Sequence, residues 1–131
     1  MIGIDTNVLV RFLVDDQPEQ NRAARQFLSK RSAEDPAYVS AVVLAETVWV
    51  LNKHLKYPMP VIIEVLQNLI AADGVVIEYA EELNTLFSQS DPVGDLPDYL
   101  IAWSAKVAGC RRTVTFDKTA ARKIPGMELL A

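Results

Sequence analysis

The sequence predicts a three-layer α/β/α fold with a short central parallel sheet. Short apolar runs alternate with longer segments of helical periodicity along the chain. Chains with this alternation usually form a parallel sheet that carries helices on both faces. The length of 131 residues, with 50% of them hydrophobic, suits one domain with a sizeable core, and we expect that domain to span residues 1–131.

Local signals in the sequence define each element in turn. Ser40 is a natural N-cap, Pro97 suits the first turn of a helix, and Gly109 suits the end of that helix. Continuous apolar runs between turn residues indicate buried strands, whereas a 3.6-residue apolar spacing indicates helices. In chain order we expect a strand at 1–4, helices at 7–13 and 19–30, a strand at 37–39, helices at 40–53 and 61–71, a strand at 75–77, a helix at 80–88, a loop at 90–94, a helix at 97–108, a strand at 112–116, a short helix after Asp117 and a final strand at 127–130.

The composition argues against several classes of protein. The apolar runs are shorter than the ~20 residues that a membrane span needs, and no export signal is recognisable, so we expect a cytoplasmic protein. The single cysteine, Cys110, excludes an internal disulfide and a cysteine-based zinc site, and we expect it to be a small buried residue. The net charge of −4 disfavours a nucleic-acid partner unless several acids share a metal ion.

Acidic residues follow two of the predicted strands and precede one helix. Asp5 ends the first strand, Asp117 ends the strand at 112–116, and Asp98 lies in the first helical turn after Asp95. Taken singly, each aspartate has an ordinary structural explanation, as a helix N-cap or as a negative charge at the positive end of a helix dipole. Because the carboxyl ends of parallel strands meet at one edge of a sheet, we expect these aspartates to lie at the same edge.

Glu46 is the only ionisable residue between Ala41 and Leu51, in a segment that is apolar on nearly every helical face. We therefore expect it to be enclosed in the packed interior, where a lone carboxylate costs several kcal/mol unless it is paired, protonated or bound. It bends to the surface, or pairs with Lys53, or turns towards the aspartates. If Glu46 turns towards the aspartates, the facing carboxylates repel one another. A hard divalent cation such as Mg²⁺, which prefers oxygen ligands, would relieve that repulsion.

Four stretches in this order resemble the PIN-domain nucleases, and among them the VapC-type toxins of toxin–antitoxin pairs. They are IDTNVLVRFL at the first strand, LAETVWVL in the middle helix, GDLPDYLIAWSAKVAGC at the third acid, and TVTFDKTAARKIPGMELL at the end. The resemblance covers nearly the whole chain and implies a PIN-like fold. The sequence departs from the family at Pro97–Asp98–Tyr99, where many relatives have small residues, so Tyr99 either contacts a base in the groove or packs inside.

The resemblance implies a set of site residues in this chain. Asp5, Glu46, Asp98 and Asp117 are implied as catalytic and metal-binding acids, and Asp95 as a further metal ligand. Thr6, Asn7 and Thr115 match polar positions that line the site, with Thr115 either holding the attacking water or orienting Asp117. The candidate RNA contacts are Arg11 and Lys118, followed by Arg122 and Lys123. They come after the aspartates in the sequence, and they either rim the RNA groove or form a solvated basic face.

The implied reaction is hydrolysis of RNA phosphodiester bonds with Mg²⁺ or Mn²⁺, leaving a 5′-phosphate and a 3′-hydroxyl. The residues support it independently, because a metal-free ribonuclease commonly uses two imidazoles and this chain has only His54, which we expect on the surface. The family further implies a homodimer, an RNA substrate such as tRNA, and a small antitoxin. Apolar surface on the helices at 40–53 and 61–71 also favours self-association.

Rival functions differ in how well the sequence excludes them. A receiver-type domain needs a pair of acids after the first strand, and a dehalogenase-like phosphatase needs a second aspartate at the position of Asn7. The sequence excludes both. Two alternatives stay open: a PIN-like RNA- or protein-binding module without catalysis, and an RNA-processing nuclease outside a toxin–antitoxin system.

Overall fold

The computed structural model describes residues 1–89 and 93–131. Its contacts divide the chain into two compact units, Met1–Phe87 and Ser88–Ala131, and each is described by itself. Residues 90–92 of the expected loop at 90–94 lie outside the described residues. The expectation of one domain over residues 1–131 stays a prediction.

The first unit contains a three-stranded parallel sheet in the order β1-β2-β3. Gly3 pairs with Tyr38, and Tyr38 pairs with Val76 on the other side. After α3 the chain continues into one π-helical turn at Val50–His54. The elements of this unit are β1 (Ile2–Gly3), α1 (Thr6–Leu13), α2 (Pro18–Ser29), β2 (Ala37–Val39), α3 (Ala41–Trp49), α4 (Met59–Ala71), β3 (Val75–Ile77) and α5 (Ala80–Phe87).

Helices pack around this sheet and bury its middle strand, whereas Ile2 of β1 and Val76 of β3 stay exposed. α1 packs against α2 and α3, and α4 packs against β3 and α5. Leu9, Leu44, Leu66 and Leu83 are almost completely buried. Because β2 has a neighbour on each side, its residues Ala37 and Val39 are fully buried, as expected for the middle strand of a covered parallel sheet.

α3 differs from the sequence expectation, because it exposes one face. Leu44 and Val48 are buried, whereas Val42 and Trp49 are 69% and 58% exposed. Its N-terminus forms as predicted, since the Ser40 hydroxyl accepts the amide N–H of Val43 at 3.2 Å. The apolar composition of this segment therefore predicted more burial than α3 has.

The second unit consists of α6 (Leu96–Val107), β4 (Thr113–Thr115), α7 (Lys118–Lys123) and β5 (Met127–Leu129). β4 and β5 pair in parallel, with Thr113 opposite Met127, and α7 packs on both strands. Leu96, Leu100 and Ile124 are buried. The described strands thus form two hydrogen-bonded sheets, and all their pairs are parallel as expected.

Gly109 ends α6 as predicted, with a positive φ of 98°. The N–H of Cys110 donates to the carbonyl of Ala105, and the N–H of Gly109 donates to that of Lys106, which is the Schellman arrangement. This turn carries Cys110 to the surface. The expectation of a buried Cys110 was therefore wrong. In the described part of the chain, no helix combines the length and apolarity that a membrane span requires.

Candidate active site

Asp5 follows β1 and caps α1. Its Oδ1 accepts the N–H of Thr6 at 2.7 Å, and its extended backbone turns the chain into the helix. The capping hydrogen bond uses Oδ1, whereas Oδ2 makes no hydrogen bond or ion pair with a described residue. Because the side chain is also exposed, Asp5 can cap the helix and still offer an oxygen to a cation.

Thr6 connects the start of α1 to α3. Its hydroxyl donates to Oε1 of Glu46 at 3.1 Å, so the carboxyl groups of Asp5 and Glu46 flank one threonine. α1 and α3 pack against each other, which brings these residues together across 40 positions of sequence. Thr6 therefore orients Glu46 within the first unit.

Glu46 does not lie in a packed interior, and that expectation was wrong. It is exposed on the same face of α3 as Val42 and Trp49. The buried apolar residues of this segment, Leu44 and Val48, lie on other faces of the helix. No ion pair with Lys53 forms among the described residues, and the partner of Glu46 is the Thr6 hydroxyl.

Glu78, which sequence reasoning missed, helps to place the helix that carries Glu46. Its Oε1 accepts the N–H of Ala41 at 2.7 Å, at the positive end of α3. The only sequence signal was an acid directly after the strand at 75–77. Burial and the charge of Glu78 together raise the pKa of Tyr38 above its ordinary value.

A cavity of about 600 Å³ opens beside Asp5 in the first unit. Asn7 and Arg11 of α1 line it together with Gln20 and apolar residues of α2. The Arg11 Nε donates to Oε1 of Gln20 at 2.7 Å, which holds the guanidinium at the cavity wall. The nearest carboxylate oxygen, on Asp16, is 3.8 Å from Nη1, so the ion pair is weak.

Asp117 follows β4 and caps α7. Its Oδ1 accepts the N–H groups of Thr119 and Ala120 at 2.9 and 3.0 Å. Its own N–H donates to the hydroxyl of Thr115 at 3.0 Å, which fixes the backbone at the end of the strand. Of the two roles considered for Thr115, this contact corresponds to orienting Asp117.

Asp95 and Asp98 lie at the start of α6. Asp95 is the N-cap residue, but its side chain makes no capping hydrogen bond, so its carboxylate stays exposed. Asp98 is half-buried, and its N–H donates to the carbonyl of Asp95 at 3.0 Å. Burial, followed by the negative charges of Asp95 and Asp117, raises the pKa of Asp98. The second unit therefore brings three predicted acids within electrostatic reach of one another.

The donor set fits a hard divalent cation in its chemistry. It consists of carboxylate and hydroxyl oxygens, and the ionised form of Asp98 lacks a compensating positive charge. Within residues 1–89 and 93–131, no three His, Cys, Asp or Glu side chains are arranged to hold a metal ion. The acids thus have suitable chemistry without a closed coordination shell.

The comparison with protein families decides the classification. The family model of the PIN domain matches residues 2–125. The chain belongs to the PIN domain family. The match and the helix-flanked parallel strands agree with the predicted three-layer α/β/α class. No curated protein and no solved structure gives a significant match.

PIN domains are generally nucleases that depend on divalent metals and act on RNA. Of the remaining predicted residues in this PIN domain, Lys118, Arg122 and Lys123 on α7 are exposed, as is His54. Tyr99 is only 7% exposed, its hydroxyl accepts the N–H of Gly94 at 3.4 Å, and its ring contacts that of Trp103. Of the two alternatives for Tyr99, the structure shows internal packing.

Proposed function

We propose that this PIN domain is an Mg²⁺- or Mn²⁺-dependent endoribonuclease that hydrolyses RNA phosphodiester bonds. The observation that carries the proposal is the half-buried carboxyl of Asp98, whose pKa is raised by burial and by the charges of Asp95 and Asp117. A protein keeps such a group at a cost unless a cation or a proton neutralises it. In a PIN domain, a divalent cation is the candidate that also explains the chemistry.

The proposed roles are those that the family resemblance implies, and the contacts of two threonines support them. Asp5 and Asp98 are the principal ligands, and Glu46 and Asp117 complete the set with Asp95. Thr6 orients Glu46, and Thr115 fixes the backbone of Asp117. When bound, Mg²⁺ or Mn²⁺ supplies the charge that activates the attacking water and stabilises the leaving oxygen.

We propose further that the protein acts in the cytoplasm as the toxin of a type II toxin–antitoxin pair, as a homodimer neutralised by a small antitoxin. The VapC-like order of motifs supports this assignment. Exposed apolar residues on one face of α3, Val42 and Trp49, provide surface for a protein partner, as does Val61 on α4. The two open alternatives are an RNA-processing nuclease outside such a pair and a non-catalytic binding module.

The decisive experiment compares wild-type protein with Asp5→Asn on labelled single-stranded and tRNA-like RNA. Each reaction is run with Mg²⁺, with Mn²⁺ and with EDTA. Asp73→Asn is the matched control, because Asp73 is an exposed turn residue of the same type. We expect wild type and Asp73→Asn to cut, and Asp5→Asn and the EDTA reactions to be at least a hundredfold slower, since losing a metal ligand removes several kcal/mol of transition-state stabilisation.

Cleavage that is equal in wild type and Asp5→Asn contradicts the proposal and points to a contaminating ribonuclease. RNA that is bound by all variants and cut by none favours the non-catalytic module. If cleavage is confirmed, growth arrest on expression distinguishes a toxin from a processing enzyme. A co-purifying small protein that restores growth then identifies the antitoxin.

A further inference from the structure

The second unit has a surface pocket of about 440 Å³ whose lining contains cations and no acid. Lys106 at the end of α6 and Arg111 and Arg112 before β4 supply the positive charge. Trp103 of α6 also lines it, and the exposed Cys110 lies beside the arginines. In a chain with a net charge of −4, three adjacent cations around a concave surface are a local reversal of sign.

These cations are not needed to end α6. Cations near the C-terminus of a helix often compensate for its unpaired carbonyl groups. Here the Schellman turn already provides N–H donors, from Cys110 to Ala105 and from Gly109 to Lys106. The positive charges therefore remain available to a ligand.

The cations are also weakly engaged by protein acids. Arg112 has one ion pair, with Glu128 at 3.8 Å, and both side chains are more than half exposed. Such a pair contributes little and breaks readily. Among the described residues, Lys106 and Arg111 have no ion-pair partner.

Trp103 gives the pocket an aromatic wall. It is half-buried, and its ring lies 5.9 Å from that of the buried Tyr99 in a tilted contact, which supports it from the interior. Proteins that hold single-stranded nucleic acid combine cations along the phosphates with aromatic rings that stack on bases. An acidic peptide would use the cations but would leave the ring without a matching partner.

We propose that this pocket binds a nucleotide of single-stranded RNA, with phosphate held by Lys106, Arg111 and Arg112 and a base against Trp103. The inference deepens the proposed nuclease function and rests on its RNA substrate. Thr113 of β4 lines the pocket, and Asp117 follows the same strand, so an extended chain puts them at most about 14 Å apart. RNA anchored here reaches Asp117 within a few nucleotides.

The test uses the Asp5→Asn protein, in which we expect RNA cleavage to be lost, and the single thiol Cys110 as a reporter. We expect short oligoribonucleotides to slow modification of Cys110 by a thiol reagent, and AMP to do so at higher concentration. Replacing Trp49 by Phe leaves Trp103 as the only tryptophan, and RNA should quench its fluorescence. Inorganic phosphate serves as the probe for the cations alone.

Arg111→Gln together with Lys106→Gln should weaken RNA binding about tenfold or more, because charge-assisted contacts to phosphate are lost. Trp103→Ala should weaken it at least about fivefold through lost stacking. Each phosphate contact removed should lower the slope of log K against log salt by about 0.7. Arg22→Gln is the matched control, an exposed arginine of the first unit, and should bind like the parent.

RNA that leaves Cys110 and Trp103 unaffected overturns the inference, as does RNA binding unchanged in the pocket variants. Equal protection of Cys110 by polyglutamate and by RNA also overturns the inference, because the pocket is then a general anion surface. The two proposals fail separately. Cleavage by wild type without protection of Cys110 refutes only the pocket, whereas protection without any cleavage refutes only the nuclease.

Discussion

Asp98 illustrates how one residue can oppose the stability of the chain that carries it. Its pKa is raised by burial first and then by Asp95 and Asp117. The folded state therefore prefers the protonated form and is penalised when Asp98 ionises. The penalty is fully present above the folded pKa and disappears as the pH falls towards the ordinary value of 3.8.

We expect Asp98→Asn to raise the melting temperature of the metal-free protein at neutral pH, and the gain to fade as the pH approaches 4. The replacement removes the penalised charge and keeps the shape of the side chain. Thermal unfolding in EDTA across this pH range measures the difference from wild type. Asp73→Asn, at an exposed turn, should show no such trend, and a gain from Asp98→Asn that is independent of pH would contradict this explanation.

At the scale of the element, α3 shows how a cap positions a functional group. The Ser40 hydroxyl accepts the N–H of Val43, and Glu78 accepts the N–H of Ala41. Both contacts fix the start of the helix on which Glu46 lies. Thr6 then holds the Glu46 carboxylate from the neighbouring helix α1.

We expect Ser40→Ala to lower the free energy of unfolding by about 1 kcal/mol, because an N-cap hydrogen bond is lost. Urea titration followed by circular dichroism measures the change. Ser104→Ala, at an exposed position inside α6, is the control and should be neutral or slightly stabilising, since alanine favours helix interiors. Equal effects of the two replacements would show that the Ser40 cap contributes nothing specific.

For the whole molecule, a bound cation links activity and stability. A ligand that binds only the folded state stabilises it, by about 2.7 kcal/mol at a concentration one hundred times its dissociation constant. The proposed ligands are acids that only the folded chain brings together. Binding should therefore stabilise the folded protein.

We expect saturating Mn²⁺ or Mg²⁺ to raise the melting temperature by roughly 10 °C, and EDTA to reverse the increase. Asp98→Asn should abolish the response, whereas Asp73→Asn should preserve it. Calorimetry with each ion measures both the affinity and the stabilisation. A response that survives in Asp98→Asn would place the cation elsewhere.

The sequence alone determined the order and type of the elements. Local signals do not depend on distant contacts, and so Ser40 as an N-cap, Gly109 as a helix end and the strands at 37–39 and 75–77 were predicted correctly. It also pointed to the acids that follow two strands, because ligands in such folds bind at the carboxyl ends of parallel strands. The family match agrees with the predicted fold class.

Only the tertiary structure decided which faces are buried and which side chains meet. Glu46 was expected inside and is exposed, and Cys110 was expected to be buried and lies on the surface. Thr6 contacts Glu46, which is 40 residues away in the sequence. The pocket at Trp103 is lined by residues of α6 and of the turn that follows it. Composition reports how apolar a segment is, but burial depends on which neighbours cover it, and those neighbours come from elsewhere in the chain.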